Sequence, residues 1–140
     1  MSFVGPSAIA LRNALSNTQK AVTPGFWAVG GVAASQTNQN MSFVNIYLAG
    51  RYIFQADGLF VGFSREGNAA VTAGTLTIYG TRDGSQIQNV GISSNQNGRH
   101  TFTVPIAVSG GQGIGFQYTT DVSYVGPSSF ALIPLVVFNA

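Results

Sequence analysis

His100 and Asp57, Glu66, Asp83 and Asp121 are all the imidazole and carboxylate side chains of this 140-residue chain. His100 with Asp57 or Asp121 and one of thirteen Ser would supply the groups of a hydrolytic triad. The spacing does not favour it, because no Gly-x-Ser-x-Gly elbow is present to present a nucleophile, and His100 reads as a strand-start residue beside Arg99. Glycoside hydrolysis needs two facing carboxyl groups. Asp83 is already accounted for by a turn with Gly84, and the other three acids are far apart in sequence. A calcium loop needs oxygen ligands at alternate positions, and no Asp-x-Asx-x-Asx-Gly run occurs. Gly110-Gly111-Gln112-Gly113-Ile114-Gly115 has the composition of a phosphate loop, but the dinucleotide fingerprint requires Gly where Phe116 stands, and a strand pattern follows. Arg82-Asp83-Gly84 carries the residues of an integrin-type adhesion tripeptide in another order. Tyr47, Tyr52, Tyr79, Tyr118 and Tyr124 would suit a sugar-stacking platform, although strand packing also accounts for them. No catalytic residue, cofactor or metal is expected.

Few charges surround these groups. Lys and Arg number six and Asp and Glu four, 7% of the chain against about 25% in an ordinary soluble domain. Hydropathy is nevertheless sufficient for a folded core, with 45% hydrophobic and 11% aromatic residues. The net charge of +2 is too small and too scattered for a polyanion-binding face, so nucleic acid is not an expected partner. Ten Asn, nine Gln, thirteen Ser and eleven Thr take over the hydration that Lys and Glu usually supply. No Cys is present, so disulfides and thiolate metal sites are excluded. The amino end has no basic stretch leading into a long apolar one, and no apolar run approaches the ~18–20 residues of a membrane span. Synthesis in the cytosol without a membrane partner is the expectation.

Any site must be placed by the elements around it, and these divide at about residue 40. Residues 7–22 carry Leu11, Leu15, Thr18 and Val22 at helical spacing, with Ser7 as cap and Pro24-Gly25 as stop, which predicts a short helix in an N-terminal arm. The Gly-, Ala-, Ser- and amide-rich stretch 25–40 reads as a linker with one apolar anchor, Phe26-Trp27. From Met41 to Ala140 short β-branched and aromatic runs alternate with turn residues. They predict strands at 42–48, 51–56, 58–64, 74–81, 86–92, 100–108, 113–120 and 129–138. Leu76 and Ile78 oppose Thr75, Thr77 and Tyr79, Phe102 and Val104 oppose Thr101 and Thr103, and Ile114, Phe116 and Tyr118 oppose Gly115 and Gln117. One face is dry and the other rich in hydroxyls. Asp83-Gly84 and Asn97-Gly98 have the composition of tight hairpin turns, which predicts a meander over 74–108. Pro134, unable to donate to a ladder, predicts a sheet edge or a bulge in the last strand. Strands without crossover helices give an all-β antiparallel sandwich of jelly-roll type, with about eight strands over 41–140 and an arm over 1–40.

The segment 50–138 resembles a β-sandwich module found in structural proteins of tailed bacteriophages, in capsid decoration (cement) proteins and in head or tail fibres. The matching stretches are Ala49-Gly50-Arg51-Tyr52-Ile53-Phe54, the strand Leu59–Ser64, the hairpin from Leu76-Thr77-Ile78 to Asp83-Gly84, and Thr101-Phe102-Thr103-Val104. Val108-Ser109-Gly110-Gly111-Gln112 and the closing strand Phe130–Phe138 complete the set. In such modules, and in the tumour necrosis factor-like jelly rolls, the turn before the penultimate strand is often Gly-Asp, and here Gln112 replaces the acid. The resemblance implies a homotrimer in a virion, with the chain itself and a major capsid protein as partners. Low charge and abundant amides independently suit surfaces covered by other subunits. In such an assembly Phe3, Val4, Leu11, Leu15, Phe26 and Trp27 of the arm would clamp a neighbour. The alternative expectation is a fibre or receptor-binding module that recognises host surface glycans through its tyrosines and amides. A secreted lectin or small hydrolase fits less well, for want of a leader and of paired acids.

Overall fold

Runs that alternate apolar and hydroxyl side chains can bury one face and wet the other only as strands, and the chain folds accordingly. A computed structural model describes residues 20–22, 25–43, 51–93 and 97–138. In chain order its strands are β1 (Lys20–Val22), β2 (Trp27–Gly30), β3 (Gln39–Asn40), β4 (Ser42–Phe43) and β5 (Tyr52–Ile53). Longer strands follow: β6 (Gly58–Gly67), β7 (Leu76–Arg82), β8 (Ser85–Ile92), β9 (Gly98–Val108), β10 (Gly113–Thr120) and β11 (Ser129–Phe138). They form two antiparallel sheets. The first runs β4-β2-β11-β6-β9, with β1 also on β11, and the second runs β3-β10-β7-β8, with β5 also on β10. The protein is all-β, and no helix occurs among the described residues.

The inner faces meet in an aromatic core. Trp27, fully buried, stacks on Phe43 at 4.3 Å between ring centres and meets Phe116 edge-on at 5.1 Å. Phe60 and Phe63 of the first sheet meet Phe116 of the second edge-on at 5.3 and 5.6 Å. Such pairs each add about 0.5–1.5 kcal/mol beyond the area they bury. Phe102 reaches across toward β7, where a Cβ at Gly80 would lie 2.5 Å from its ring, so the close approach of the ring requires glycine there. Asp83 and Gly84 both have positive φ, 52° and 85°, and close the β7–β8 hairpin as their types predict.

Several expectations are corrected. Lys20–Val22, the end of the predicted helix, is a strand paired with Val136–Phe138, and the rest of that helix lies outside the described residues. Two apolar side chains in the helical stripe are little to bury, and an edge position beside β11 offers ladder hydrogen bonds instead. The expected linker contributes strands to both sheets: β2 pairs with β11 and β3 with β10. Of the strands expected at 42–48 and 51–56, only Ser42–Phe43 and Tyr52–Ile53 are strand among the described residues. The meander stops after β8, because β9 pairs with β6 in the other sheet. At its start only Gly98 has positive φ, 108°, whereas a two-residue hairpin of this type needs Asn97 there as well.

Val104 is 58% exposed, not aligned with buried Phe102. The β6–β9 register jumps from Ile106 opposite Phe60 to Thr101 opposite Gly62, and this bulge turns Val104 outward. Pro134 lies inside β11, not on an edge. On one side of β11 the paired residues of β2 stop at Leu132 and those of β1 start at Val136, so Pro134 falls at a break in the ladder on that side. The register with β6 shifts immediately beyond, between Leu135 and Val136.

Candidate functional site

Each titratable group has a local structural position. Asp57 Oδ1 accepts the Gly110 amide at 2.9 Å, and Asp83 Oδ1 accepts the Gly113 amide at 2.9 Å. Asp121 Oδ2 accepts the Thr75 amide at 3.1 Å, while the Ser123 hydroxyl donates to its Oδ1 at 3.3 Å. Asp57 and Asp83 thus hold the two ends of the β9–β10 turn, Asp121 holds the backbone before β7, and Glu66 is exposed on β6. His100 is half-buried on β9 with its ring stacked on Phe63 at 5.3 Å. None of these hydrogen bonds joins one acid to another. Among the described residues no group of three His, Cys, Asp or Glu is placed to hold a metal. Gly110 to Gln112 forms a turn that feeds β10, with the Gln112 amide donating to the Ser109 carbonyl at 3.0 Å.

One buried cation lies under the β10–β11 loop. Arg65 points inward from β6 and is fully buried, so loss of hydration pulls its guanidinium below the ordinary arginine range, with nearby Tyr124 and Glu66 opposing. Burial raises Tyr124 above 10.0, Arg65 working against that shift, and its hydroxyl donates to the Pro127 carbonyl at 2.8 Å. Tyr118, also raised by burial, donates to Gln36 Oε1 at 2.7 Å, and Tyr52 is raised for the same reason.

The outer face of the second sheet holds the most organised exposed chemistry. Alternation directs Gln117 and Thr119 of β10 and Thr77 and Tyr79 of β7 outward, with Asn89 of β8 opposite Tyr79 and Asn40 of β3 opposite Gln117. Gln86 Nε2 donates to Gln117 Oε1 at 2.8 Å and to Asn38 Oδ1 at 2.9 Å, and Gln117 Nε2 donates to Asn40 Oδ1 at 2.9 Å. The Asn38 amide donates to Thr119 Oγ1 at 3.0 Å. Amides from three strands thus share one network around a partly exposed Tyr79. Such a face offers neutral donors and acceptors, and a ring edge, to protein backbone or to hydroxyl-rich ligands. The sequence signal for it is limited to amides at alternate positions 38 and 40; on β8 a register shift between the partners of Gln86 and Gln88 puts only Gln86 into the network.

The outer face of the first sheet differs. Ala131, Ile133, Leu135 and Val137 of β11 project opposite the buried set Phe130, Leu132, Pro134 and Val136, and all four are partly exposed. Leu59 lies opposite Val137, and Ala28 lies opposite Ala131. The signal here is an apolar run without alternation, the pattern of a strand covered on both faces.

Of the expected arm contacts, Phe3, Val4, Leu11 and Leu15 lie outside the described residues. Phe26 is 42% exposed and remains available to a neighbour, whereas Trp27 is at 0% and belongs to the chain's own core. A depression of about 570 Å³ is lined by Asn40, Met41, Phe43, Arg51, Phe116 and Gln117. Its borders at Phe43 and Arg51 flank residues 44–50, which are outside the described set. No helix among the described residues is long and apolar enough to cross a membrane. No family model matches the chain, and neither the curated proteins nor the solved structures contain a match.

Proposed function

We propose that the chain is a virion structural protein, a capsid decoration (cement) protein that assembles as a homotrimer and stabilises a major capsid lattice. The observation that carries this is the pair of outer sheet faces, one apolar and one built of uncharged amides and hydroxyls. Surfaces of this kind gain from being covered, and neither carries the charge density that keeps an isolated subunit apart from its copies. The jelly-roll architecture is supported by the strand orders β11-β6-β9 and β10-β7-β8: β6 lies in one sheet, β7 and β8 in the other, and β9, β10 and β11 alternate between them. The resemblance of segment 50–138 to phage modules supplies the trimer and the lattice.

Light scattering on the purified protein is expected to give three times 14.6 kDa. Particles lacking the protein should regain resistance to heat or chelators when it is added back. A monomer at high concentration, or presence in only a few copies per particle, overturns the proposal.

A second reading is favoured by Tyr79 in its amide surround: a head or tail fibre module that binds neutral host glycans. Glycan-array binding that disappears in Tyr79→Ala would select it, and silence on the array would remove it.

A further inference from the structure

From the chemistry of the two faces we infer that the outer face of the first sheet, centred on Ile133 and Leu135, is the surface through which copies of this chain associate. The inference rests on the assembly reading above and adds which face is used. It begins with β11, Ser129-Phe130-Ala131-Leu132-Ile133-Pro134-Leu135-Val136-Val137-Phe138, apolar at both parities from Phe130 onward. In an antiparallel sheet with one wet face the outward positions are polar, as they are on β7 and β10. A strand apolar on both sides is one whose two sides are both covered. Phe130, Leu132, Pro134 and Val136 fill the interior, which leaves Ala131, Ile133, Leu135 and Val137 partly exposed in the single chain.

Neighbouring strands extend this face. Leu59 and Val61 of β6 and Ala28 of β2 are partly exposed beside it, and Ala107 of β9 lies opposite Leu59. Along β2, β6, β9 and β11 the charges on this face are Glu66, opposite Ala131, and Arg99, across Ser64 in the row of Ile133, one of each sign. The rows of Leu135 and Val137 carry no charge. The three long strands β6, β9 and β11, about 4.8 Å apart and about ten residues of ~3.3 Å each, with the four-residue β2 beside them, make a face of roughly 500 Å². That is of the order of the ~800 Å² each partner buries in a stable interface. A second copy brings the same aliphatic rows, so the two faces match in chemistry. The second sheet, by contrast, has its outward amides hydrogen-bonded to one another around Tyr79, with Ile87 exposed on its edge strand β8, so this face can stay in water.

The test places a charge on each face and reads mass. Ile133→Lys should fall from three times 14.6 kDa to 14.6 kDa in light scattering while keeping the wild-type β circular dichroism, and Asn89→Lys on the other sheet should keep the wild-type mass. Because the chain has no Cys, a single thiol gives a second readout that changes size little: Leu135→Cys should resist maleimide in the assembled protein, and Asn89→Cys should react. This holds even if Ile133→Lys fails to fold. A wild-type monomer would defeat the assembly reading and the inference together. A wild-type trimer in which Leu135→Cys reacts as fast as Asn89→Cys would overturn only the choice of face. If Leu135→Cys is protected at monomeric mass and deletion of residues 1–19 exposes it, the chain's own amino-terminal segment is the occupant and the inference is wrong.

Discussion

Two sheets that share one interior present opposite chemistry to the outside. On the second, Gln86, Gln117, Asn38 and Asn40 bond to one another around Tyr79. On the first, Ala131, Ile133, Leu135 and Val137 stand in a row with Leu59 beside them. Net charge explains neither, since both faces lack it at their centres. The difference lies in whether outward groups can satisfy water: amides can, and aliphatic groups gain about 25 cal/mol for each Å² removed from it. The interior beneath both faces is the same aromatic stack, so the contrast arises from the alternate residues alone.

That contrast is open to direct attack, and the strongest blow falls beneath it. Trp27→Ala removes the ring that stacks on Phe43 and meets Phe116, and should cost about 3–5 kcal/mol in urea unfolding. Phe26→Ala, one residue away and exposed, should stay within about 0.5 kcal/mol, and equal losses would show that the described core is wrong. Alkaline pH tests the interior from both sides. Burial raises the phenols of Tyr52, Tyr118 and Tyr124, so the folded chain holds these protons more tightly than the unfolded one. Their contribution is full below pH 10 and is lost as pH rises through the raised values. Arg65, lowered by burial, has the opposite sign: stability is gained as pH rises through its lowered value. Stability should therefore decline above pH 10 with tyrosinate absorbance rising alongside unfolding, and a stability curve flat to pH 11 would contradict the burial.

At the loops Asp121→Ala leaves the Thr75 amide and the Ser123 hydroxyl without their acceptor and should cost about 1.5–3 kcal/mol. Smallest is Gln117→Ala, at the centre of the amide network. With water able to replace its partners, the loss should be under about 1 kcal/mol by urea unfolding, with unchanged mass. A larger loss would mean that the network is a structural element of the second sheet and not a surface feature.

The long strands were readable because their alternation is strong: Leu76 and Ile78 against Thr77 and Tyr79, Ile114, Phe116 and Tyr118 against Gln117. Short strands were not. Trp27-Ala-Val-Gly has too few residues to show a period amid Gly, Ala and Ser, and its strand character comes from the ladder with Phe130, Ala131 and Leu132, about a hundred residues away. Asn97-Gly98 misled for a related reason: turn composition reports local backbone preference, and which sheet the next strand joins is decided by distant pairing. The dry and hydroxyl-rich sides were legible. The second apolar face of β11 was hidden because a continuous run of aliphatic residues carries no period from which to assign sides. The amide network escaped because its members sit on three strands, and only pairing across β10 brings Gln86 near Asn38.

The closing position of β11 also sets an order of events. Its neighbours in the sheet are β1 and β2, near the beginning of the chain, and β6 in the middle. During synthesis at ~5–20 residues per second, those strands wait with open edges until residues 129–138 leave the ribosome. A sheet completed by so distant a partner closes slowly, in the millisecond-to-second range of β-rich domains. Edges left open in the meantime favour pairing between nascent chains, which ties the yield of folded protein to how far apart the ribosomes making it are kept.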